Sequence, residues 1–461
     1  MKSRFALVLV VCGVCSAVSA EAATPKYLLK AELPAGTTTQ VTVKLEVGGE
    51  LLVPTEKEGV KKLPMKVVGN LDYREKLIAW SPDPAAVARS IREYDSAIAK
   101  FEVEEQTTDR TLAEDRRLLL AEVRDGLSNV AGFNTNLTRE QLDLVNVVGN
   151  SLAIDRLLPG KEMAEGESWT HDAATLGALL CMDHVAVCDV SSVVTSESER
   201  QVQIRLAGTV HGTVDGSPTE MELRAAYLFH LDEKRITRFN FAIKEVRKES
   251  EIVPGVDVVA KAFVTIDPQV QPLDVPKAVQ KVAERTSEAL SQTLVYESPT
   301  KNFRFEYDAA WYVTAEERDL FSFRYLNDHE LTAHCNLSVL PVRSAGRHAP
   351  LDQFERDVRQ SLGDKLETVS AATEWQTKRG YNCLGIIAEG KVNDLPIQWR
   401  NYLVSADDCP RLSLAITLER ERSEKFADAE RQIINTIELV PTIPAATART
   451  LPVDGSEKSQ R

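Results

Sequence analysis

Apolar and polar residues alternate with a period of two in two long parts of the chain. Residues 40–47 read Gln-Val-Thr-Val-Lys-Leu-Glu-Val, which is the pattern of a half-buried strand. Five more alternating segments follow, at 185–194, 201–210, 221–231, 236–248 and 256–266. Glycines separate or kink these segments, as expected in a strongly curved antiparallel sheet. We therefore predict a curved antiparallel β domain over residues 25–266.

Between these strands the apolar period changes to three and four. Residues with this spacing would line one face of a helix: Val87, Ile91, Tyr94, Ile98 and Phe101. A second helix is predicted around 112–127, and a third begins at Thr138, which has the spacing of a capping box with Gln141. The pattern predicts a helical insert at about 84–149. The inside of the curved sheet would then be either filled by these helices or open to an apolar ligand.

The C-terminal part shows strands between two amphipathic helices. A proline-containing linker with a short helix is predicted at 267–295. An aromatic strand, a hairpin, a helix near 351–366, four more strands and a closing helix at 424–439 follow. This order predicts an α/β/α layered domain with an antiparallel sheet at 296–441, so the whole chain is expected to be α+β. Residues 442–461 have too little apolar content to fold and are predicted to be a disordered tail.

Trp311 follows the first strand of this C-terminal domain. Rings of this size usually bury most of their surface. We predict that Trp311 packs against the closing helix through Phe426, Ile433 and Ile437. The alternative is an exposed turn, where Trp311 would be a candidate partner contact.

The first residues have the features of a secretory signal peptide. Lys2 and Arg4 precede an apolar run from 5 to 18, and small residues for cleavage follow. The run is shorter than the roughly 20 residues that a membrane span needs. We therefore expect residues 1–22 to be removed and the protein to be exported to the periplasm or the extracellular space, without stable membrane insertion.

Charge and cysteine content restrict the partner classes further. The formal net charge of −14 disfavours nucleic acid and anionic membrane surfaces as partners. Five cysteines follow the signal peptide, which is too few for a disulfide framework in a chain of this length. One bridge is a candidate, Cys383 with Cys335 or Cys409. Buried free thiols are the alternative.

No constellation of residues indicates catalysis or a metal centre. His329, Glu330, His334 and Cys335 lack the spacing of a zinc helix. Cys181, His184 and Cys188 have no evident fourth ligand. Nucleophile elbows and glycine-rich phosphate loops are missing from the sequence. We predict no catalytic, cofactor-binding or metal-binding residue.

The C-terminal order of elements resembles the PsbP/Mog1-like superfamily. The residues that carry the resemblance are the aromatic strand at 302–307, Trp311 and the closing segment Glu-Lys-Phe-Ala-Asp-Ala-Glu-Arg-Gln-Ile-Ile-Asn-Thr-Ile-Glu-Leu at 424–439. The resemblance implies a binding or assembly protein without catalysis. The segments at 158–162 and 166–169 are similar to uncharacterised exported proteins of planctomycete-type bacteria, which implies a bacterial source and no mechanism.

Taken together, the expected function is that of a secreted or periplasmic non-enzymatic protein that binds an unknown partner. One alternative is a carrier that holds a lipid or another apolar ligand in the N-terminal curved sheet. A further alternative is a hydrolase with an unrecognised site, because a fold does not decide a function.

Overall fold

The computed structural model describes residues 25–441 except 56–58, 199, 251, 269, 328–329 and 344–346. In this part of the chain 57% of the residues lie in strands and 15% in helices. The protein is mostly β, with large antiparallel sheets, and the predicted α+β class is therefore wrong. The predicted signal peptide at 1–22 and the predicted tail at 442–461 lie outside the described residues.

The first sheet contains twelve strands within the described ranges. They are β2 (Thr38–Thr55), β3 (Gly59–Ala79), β4 (Ala88–Val103), β5 (Gln106–Thr111), β6 (Leu118–Arg124), β7 (Leu127–Gly132), β9 (Ser168–Thr170), β10 (His184–Glu197), β11 (Gln201–Val214), β12 (Ser217–His230), β13 (Arg235–Arg247) and β14 (Gly255–Asp267). Their order is β7-β6-β4-β3-β2-β14-β13-β12-β11-β10-β9, with β5 on β4. A separate pair joins β1 (Tyr27–Leu28) to β8 (Glu162–Met163). The five strands predicted between 185 and 266 are confirmed.

Three helices lie on the inner face of this sheet. They are α1 (Arg139–Val145), α2 (Ser151–Ile154) and α3 (Ala173–Leu180). Helix α3 contacts both β7 and β10, which stand near opposite ends of the strand order, so the sheet must curl around it. The predicted helix start is confirmed, because Thr138 and Gln141 form a capping box.

The predicted helical insert at about 84–149 is wrong over most of its length, because this segment forms strands β4 to β7. The apolar residues that suggested one helical face belong to two faces of a sheet. Tyr94 and Ala97 point into the inner core, whereas Ile91 packs outside against Leu273 and Val279 of the linker. Strand β4 is buried on both faces near Ile91, and a bulge beside Tyr94 shifts its register. Both effects remove the alternation that identifies a strand.

Two further sheets form the C-terminal part. The first joins β15 (Thr293–Glu297), β16 (Phe303–Asp308) and β24 (Glu438–Leu439). The second has the order β17-β18-β19-β23-β22-β21-β20, with β17 (Trp311–Glu316), β18 (Leu320–Asn327), β19 (Glu330–Leu340), β20 (Leu366–Gln376), β21 (Asn382–Val392), β22 (Leu395–Ser405) and β23 (Arg411–Glu419). Helix α5 (Leu351–Leu362) packs on β20 and β21.

The predicted closing helix at 424–439 is broken into two short helices and a strand. Helix α6 (Ser423–Phe426) ends at Ala427, whose φ is 47°. Helix α7 (Glu430–Thr436) follows, and β24 ends the segment. Arg400 donates a hydrogen bond of 2.6 Å to the carbonyl oxygen of Ala427. It also forms an ion pair of 3.0 Å with the buried Glu430. These tertiary contacts stabilise the break, which local propensity does not indicate.

The linker packs on the first sheet, and the C-terminal part contacts the segment before α1. Helix α4 (Lys277–Ala283) lies in the linker, and the amide of Val295 donates to the carbonyl of Leu137 at 2.9 Å. The predicted boundary between linker and C-terminal domain at 295 and 296 falls inside β15, so we propose that this unit begins no later than Thr293. Within the described residues no helix has the length and apolar composition of a membrane span.

Candidate functional site

A cavity of about 820 Å³ lies between the inner face of the first sheet and the start of the C-terminal part. Ligand pockets usually have volumes of roughly 300–1,000 Å³. Strands β2, β3, β4 and β14 form an apolar wall, and helix α1 forms another side. The C-terminal part closes the cavity with Ala309, Ala310 and Tyr312. The cavity can therefore exist only when both parts of the chain are folded together.

The apolar wall is arranged in rows that cross the sheet. Residues directly opposite one another in paired strands point to the same face. Two such rows line the cavity: Leu45, Gly69 and Ala99 form one, and Ala260, Val47, Val67 and Phe101 form the next. The cavity thus has a broad apolar surface that the antiparallel register brings together.

Strand β13 adds two charged side chains to this wall. Phe239, Phe241 and Ile243 occupy its inward positions and belong to the core. The same alternation brings Glu245 and Arg247 to the cavity, where Nε of Arg247 lies 3.4 Å from Oε1 of Glu245. Burial raises the pKa of Glu245, and the neighbouring guanidinium opposes this effect.

A polar chain continues from β13 to the C-terminal part. Arg247 donates a hydrogen bond of 3.2 Å to Oδ2 of Asp215, and the hydroxyl of Tyr312 donates one of 3.2 Å to Oδ1 of the same carboxylate. The guanidinium of Arg139 lies 4.3 Å from the centre of the Tyr312 ring. Arg139 also donates to the carbonyl oxygen of Trp311 at 3.0 Å. These contacts join β13, the turn at Asp215, β17 and α1 along one wall of the cavity.

Asp143 follows Arg139 by one helical turn and also lines the cavity. Among the described residues its carboxylate has neither a hydrogen bond nor an ion pair. The residue is exposed, yet the surrounding protein disfavours its charged form and raises its pKa to about 6. Arg139 and Arg110 oppose this shift, and Asp215 adds to it. Asp143 is therefore the carboxylate of this cavity that is available to a ligand.

A second cavity, of about 540 Å³, lies between the loop at 134–136 and the C-terminal part. Its arginines are already paired. Arg304 and Arg379 both contact Glu438, and Arg116 lies 2.7 Å from Glu297. This second cavity has no broad apolar wall, and the first is the better candidate for binding a molecule.

The structure places Trp311 beside the first cavity but in the core. Its side chain is fully buried, and its ring centre lies 5.8 Å from that of Phe426 and 5.0 Å from that of Tyr325. A partner cannot reach the indole in this conformation. Only the backbone of Trp311 takes part in the polar chain, as an acceptor from Arg139.

The cysteines and histidines singled out in the sequence do not form a site. Cys383 and Cys409 are free thiols, as is Cys335, so the candidate disulfide is not formed. Burial raises the pKa of Cys335 and Cys383 to about 12, which keeps the thiols protonated and unreactive. His329 lies outside the described residues. In the described part of the chain no three His, Cys, Asp or Glu side chains are grouped to hold a metal ion.

Glu245 and Arg247 could have been found from the sequence. They occupy inward-facing positions of an alternating strand, and the earlier inward-facing residues of that strand are Phe, Phe and Ile. Burying a charged residue at a core-facing position costs free energy unless the residue is paired or faces a cavity. Asp143 gives no comparable signal, because helix α1 is short and its surroundings depend on distant strands.

Comparisons with known proteins identify no relative by sequence. No family model and no curated protein matches the chain. Among solved structures, the chain is similar to PsbP from the cyanobacterium Synechocystis, at 10% identity over 33% of this chain and 95% of that one, with a TM-score of 0.27. A structure of lipovitellin described for its lipid–protein interactions shows 9% identity over 53% of this chain, with a TM-score of 0.31.

The chain spans only 26% of that lipovitellin and 48% of a Bacteroides thetaiotaomicron protein, which is 13% identical with a TM-score of 0.25. All three are distant neighbours. A PsbP is thus among the structures that the chain is similar to. None of the comparisons supports the resemblance of the N-terminal region to planctomycete-type exported proteins.

Proposed function

We propose that this protein is a non-enzymatic binding protein that holds an apolar small molecule in the cavity of about 820 Å³. The proposal includes export after removal of residues 1–22. Binding of a partner protein and hydrolysis of a substrate are the competing functions.

One observation carries the proposal. The inner face of a packed sheet normally covers its apolar rows with other side chains, because exposed apolar surface costs about 25 cal/mol per Å². At one end of the sheet the row with Val43 and Leu71 is covered, since these residues are 3% and 2% exposed. The rows with Val47, Met65 and Phe101 are only partly buried and face the cavity. An apolar ligand would complete the core at this end.

The polar chain through Asp215 and Tyr312 supports a binding role. It holds one wall in place before any ligand arrives, and a preorganised site avoids the cost of ordering side chains on binding. The ligand would then be oriented with its apolar part on the sheet and its polar part toward the wall that carries the polar chain.

Native mass spectrometry of the full chain, purified from its own source, tests this function. A persistent small-molecule adduct that organic extraction releases is the expected result. Recovery of a cleaved product from an added ester or amide would instead support a hydrolase. Reproducible absence of any adduct, together with no binding of long-chain alcohols or fatty acids, would remove the cavity as a binding site.

Two substitutions of alanine by phenylalanine test whether the ligand binds in the cavity. Ala99 lines the cavity opposite Gly69, so Ala99→Phe would fill space above the apolar row. Ala242 lies on the outer face of β13 opposite Lys261, and Ala242→Phe makes the same change outside the cavity. We expect Ala99→Phe to lower ligand affinity at least tenfold and Ala242→Phe to leave it unchanged. Equal effects of the two variants would contradict this location.

A further inference from the structure

We infer that the ligand of this cavity carries a cationic group, such as a protonated amine, which pairs with the carboxylate of Asp143. This inference deepens the proposed function and rests on it. It concerns the chemical class of the ligand, which an apolar wall alone does not specify.

The charges around the cavity favour a cation. Among the lining residues of the described chain, five are acidic and three are arginines: Asp143, Asp183, Asp215, Glu245 and Asp308 against Arg110, Arg139 and Arg247. An anionic head group would have to enter a space that is already net negative. Like charges at short range in a site of low dielectric repel strongly.

The arginines are also partly engaged by the protein. Arg247 contacts Asp215 and Glu245, and Arg139 donates to backbone carbonyls while it covers Tyr312. Arg110 is similarly held, since it lies 3.1 Å from Glu140 and its guanidinium is 4.7 Å from the centre of the Phe101 ring. A ligand anion would compete with these contacts for a guanidinium, although the buried Nε–H group of each arginine has no hydrogen-bond partner among the described residues.

Asp143 is placed differently: Arg139 and Arg110 are near enough to favour its charged form, but neither forms an ion pair with it. It stands in the last turn of α1, where the partial negative charge of the helix end disfavours a carboxylate. It has no hydrogen bond or ion pair within the described residues, and the surrounding protein raises its pKa to about 6. A cation in the cavity would satisfy this carboxylate, as neither the helix nor its neighbours do.

The test uses three probes that share one alkyl chain: dodecylammonium, dodecanol and laurate. Each is titrated into the full chain by isothermal calorimetry at pH 7.5, below its critical micelle concentration. A charge-assisted hydrogen bond in an enclosed site is worth a factor of about ten or more in affinity. We expect dodecylammonium to bind at least tenfold more tightly than dodecanol, and laurate to bind most weakly.

Asp143→Asn should abolish the preference for dodecylammonium over dodecanol. Glu222→Gln is the matched control, because it removes one negative charge from a half-exposed residue that pairs with Arg224 on the outer face. This control should keep the preference. If Asp143→Asn keeps the preference too, the assignment of the cation site to Asp143 is overturned.

A permanently charged probe provides a further test. Dodecyltrimethylammonium cannot titrate, so a loss of its affinity as the pH falls through 6 must come from the protein. The groups that face Asp143 are Arg139, Arg110, Asp215, Glu140 and Tyr307, and the two arginines keep their charge in this range. Because Glu245 also lines the cavity with a raised pKa, the loss is compared with that of Asp143→Asn, which should not show it. We expect this loss with the native chain, and an affinity that is independent of pH would overturn the inference.

The two proposals fail in different ways. If dodecanol binds and dodecylammonium binds no better, the cavity is a binding site and the inference about charge is wrong. If none of the three probes binds, the proposed function itself is contradicted. Tighter binding of laurate would show that the arginines, and not Asp143, receive the head group.

Discussion

The replacement of Trp311 by alanine is the sharpest stability prediction for the C-terminal part. The indole is fully buried, and its ring meets those of Tyr325 and Phe426 at 5.0 and 5.8 Å. A buried Trp covers roughly 200 Å², which corresponds to about 5 kcal/mol at 25 cal/mol per Å². Within the described residues the indole N–H has no hydrogen-bond partner, so its removal recovers about 1–3 kcal/mol. The net expected loss is about 3–5 kcal/mol once the cavity left behind is included.

Calorimetric unfolding of the full chain measures this loss. A change of this size should lower the midpoint of the affected transition by roughly 10 °C, at about 2–4 °C per kcal/mol for a unit of this size. Arg139 binds the carbonyl oxygen of Trp311, which the variant keeps. The measured effect therefore reports the packing of the ring and not the loss of the polar chain.

Trp375→Ala is the matched control. Trp375 lies on the edge strand β20, is only partly buried, and meets Tyr402 at a ring distance of 6.1 Å. Its truncation should cost clearly less than that of Trp311. A midpoint for Trp311→Ala within a degree or two of the native value would refute the core role and restore Trp311 as a candidate contact residue.

Three other variants test separate features of the structure. Asp143→Asn should raise the melting temperature at pH 7 and not at pH 4, because the pKa of about 6 in the folded chain exceeds the ordinary value and the native carboxyl therefore destabilises the fold as the pH rises through that window. An equal effect of the substitution at both pH values would contradict this. Arg89→Met should cost about 1–3 kcal/mol in denaturant unfolding, because the fully buried Glu122 loses its buried partner and keeps Arg124, at 3.2 Å, as its ion pair, and an unchanged unfolding midpoint would contradict this. Gly49→Ala should destabilise strongly, because its Cβ would lie 2.2 Å from a carbonyl oxygen of β14, whereas Gly48→Ala meets nothing within 4 Å and should be nearly neutral.

A strand was predictable from the sequence only where one of its faces is buried and the other is exposed. Strands β10 to β14 were predictable, because one face is buried and the other meets solvent, so the sequence alternates. Strand β4 was mistaken for a helix, since the linker covers its outer face near Ile91 while Tyr94 faces the inner core. Periodicity cannot separate a strand with two buried faces from a buried helix.

Most residues of the candidate site show no signal in the sequence. Glu245 and Arg247 show a signal, because they are charged at positions of one strand where the alternation predicts apolar residues. Asp143 shows none, since its neighbours Arg110 and Asp215 come from other strands and turns. The break in the closing helix at Ala427 depends likewise on Arg400, which reaches it from β22.

By itself the sequence determined the local features: alternating strands, the capping box at Thr138 and the net negative charge. These depend on residues a few positions apart, or on composition alone. Only the tertiary structure decided the mostly β class, the burial of Trp311 and the cavity with Asp143 at its side. Each of these depends on which distant strands pair and in which register, because a shift of one residue would turn every side chain of a strand to the other face.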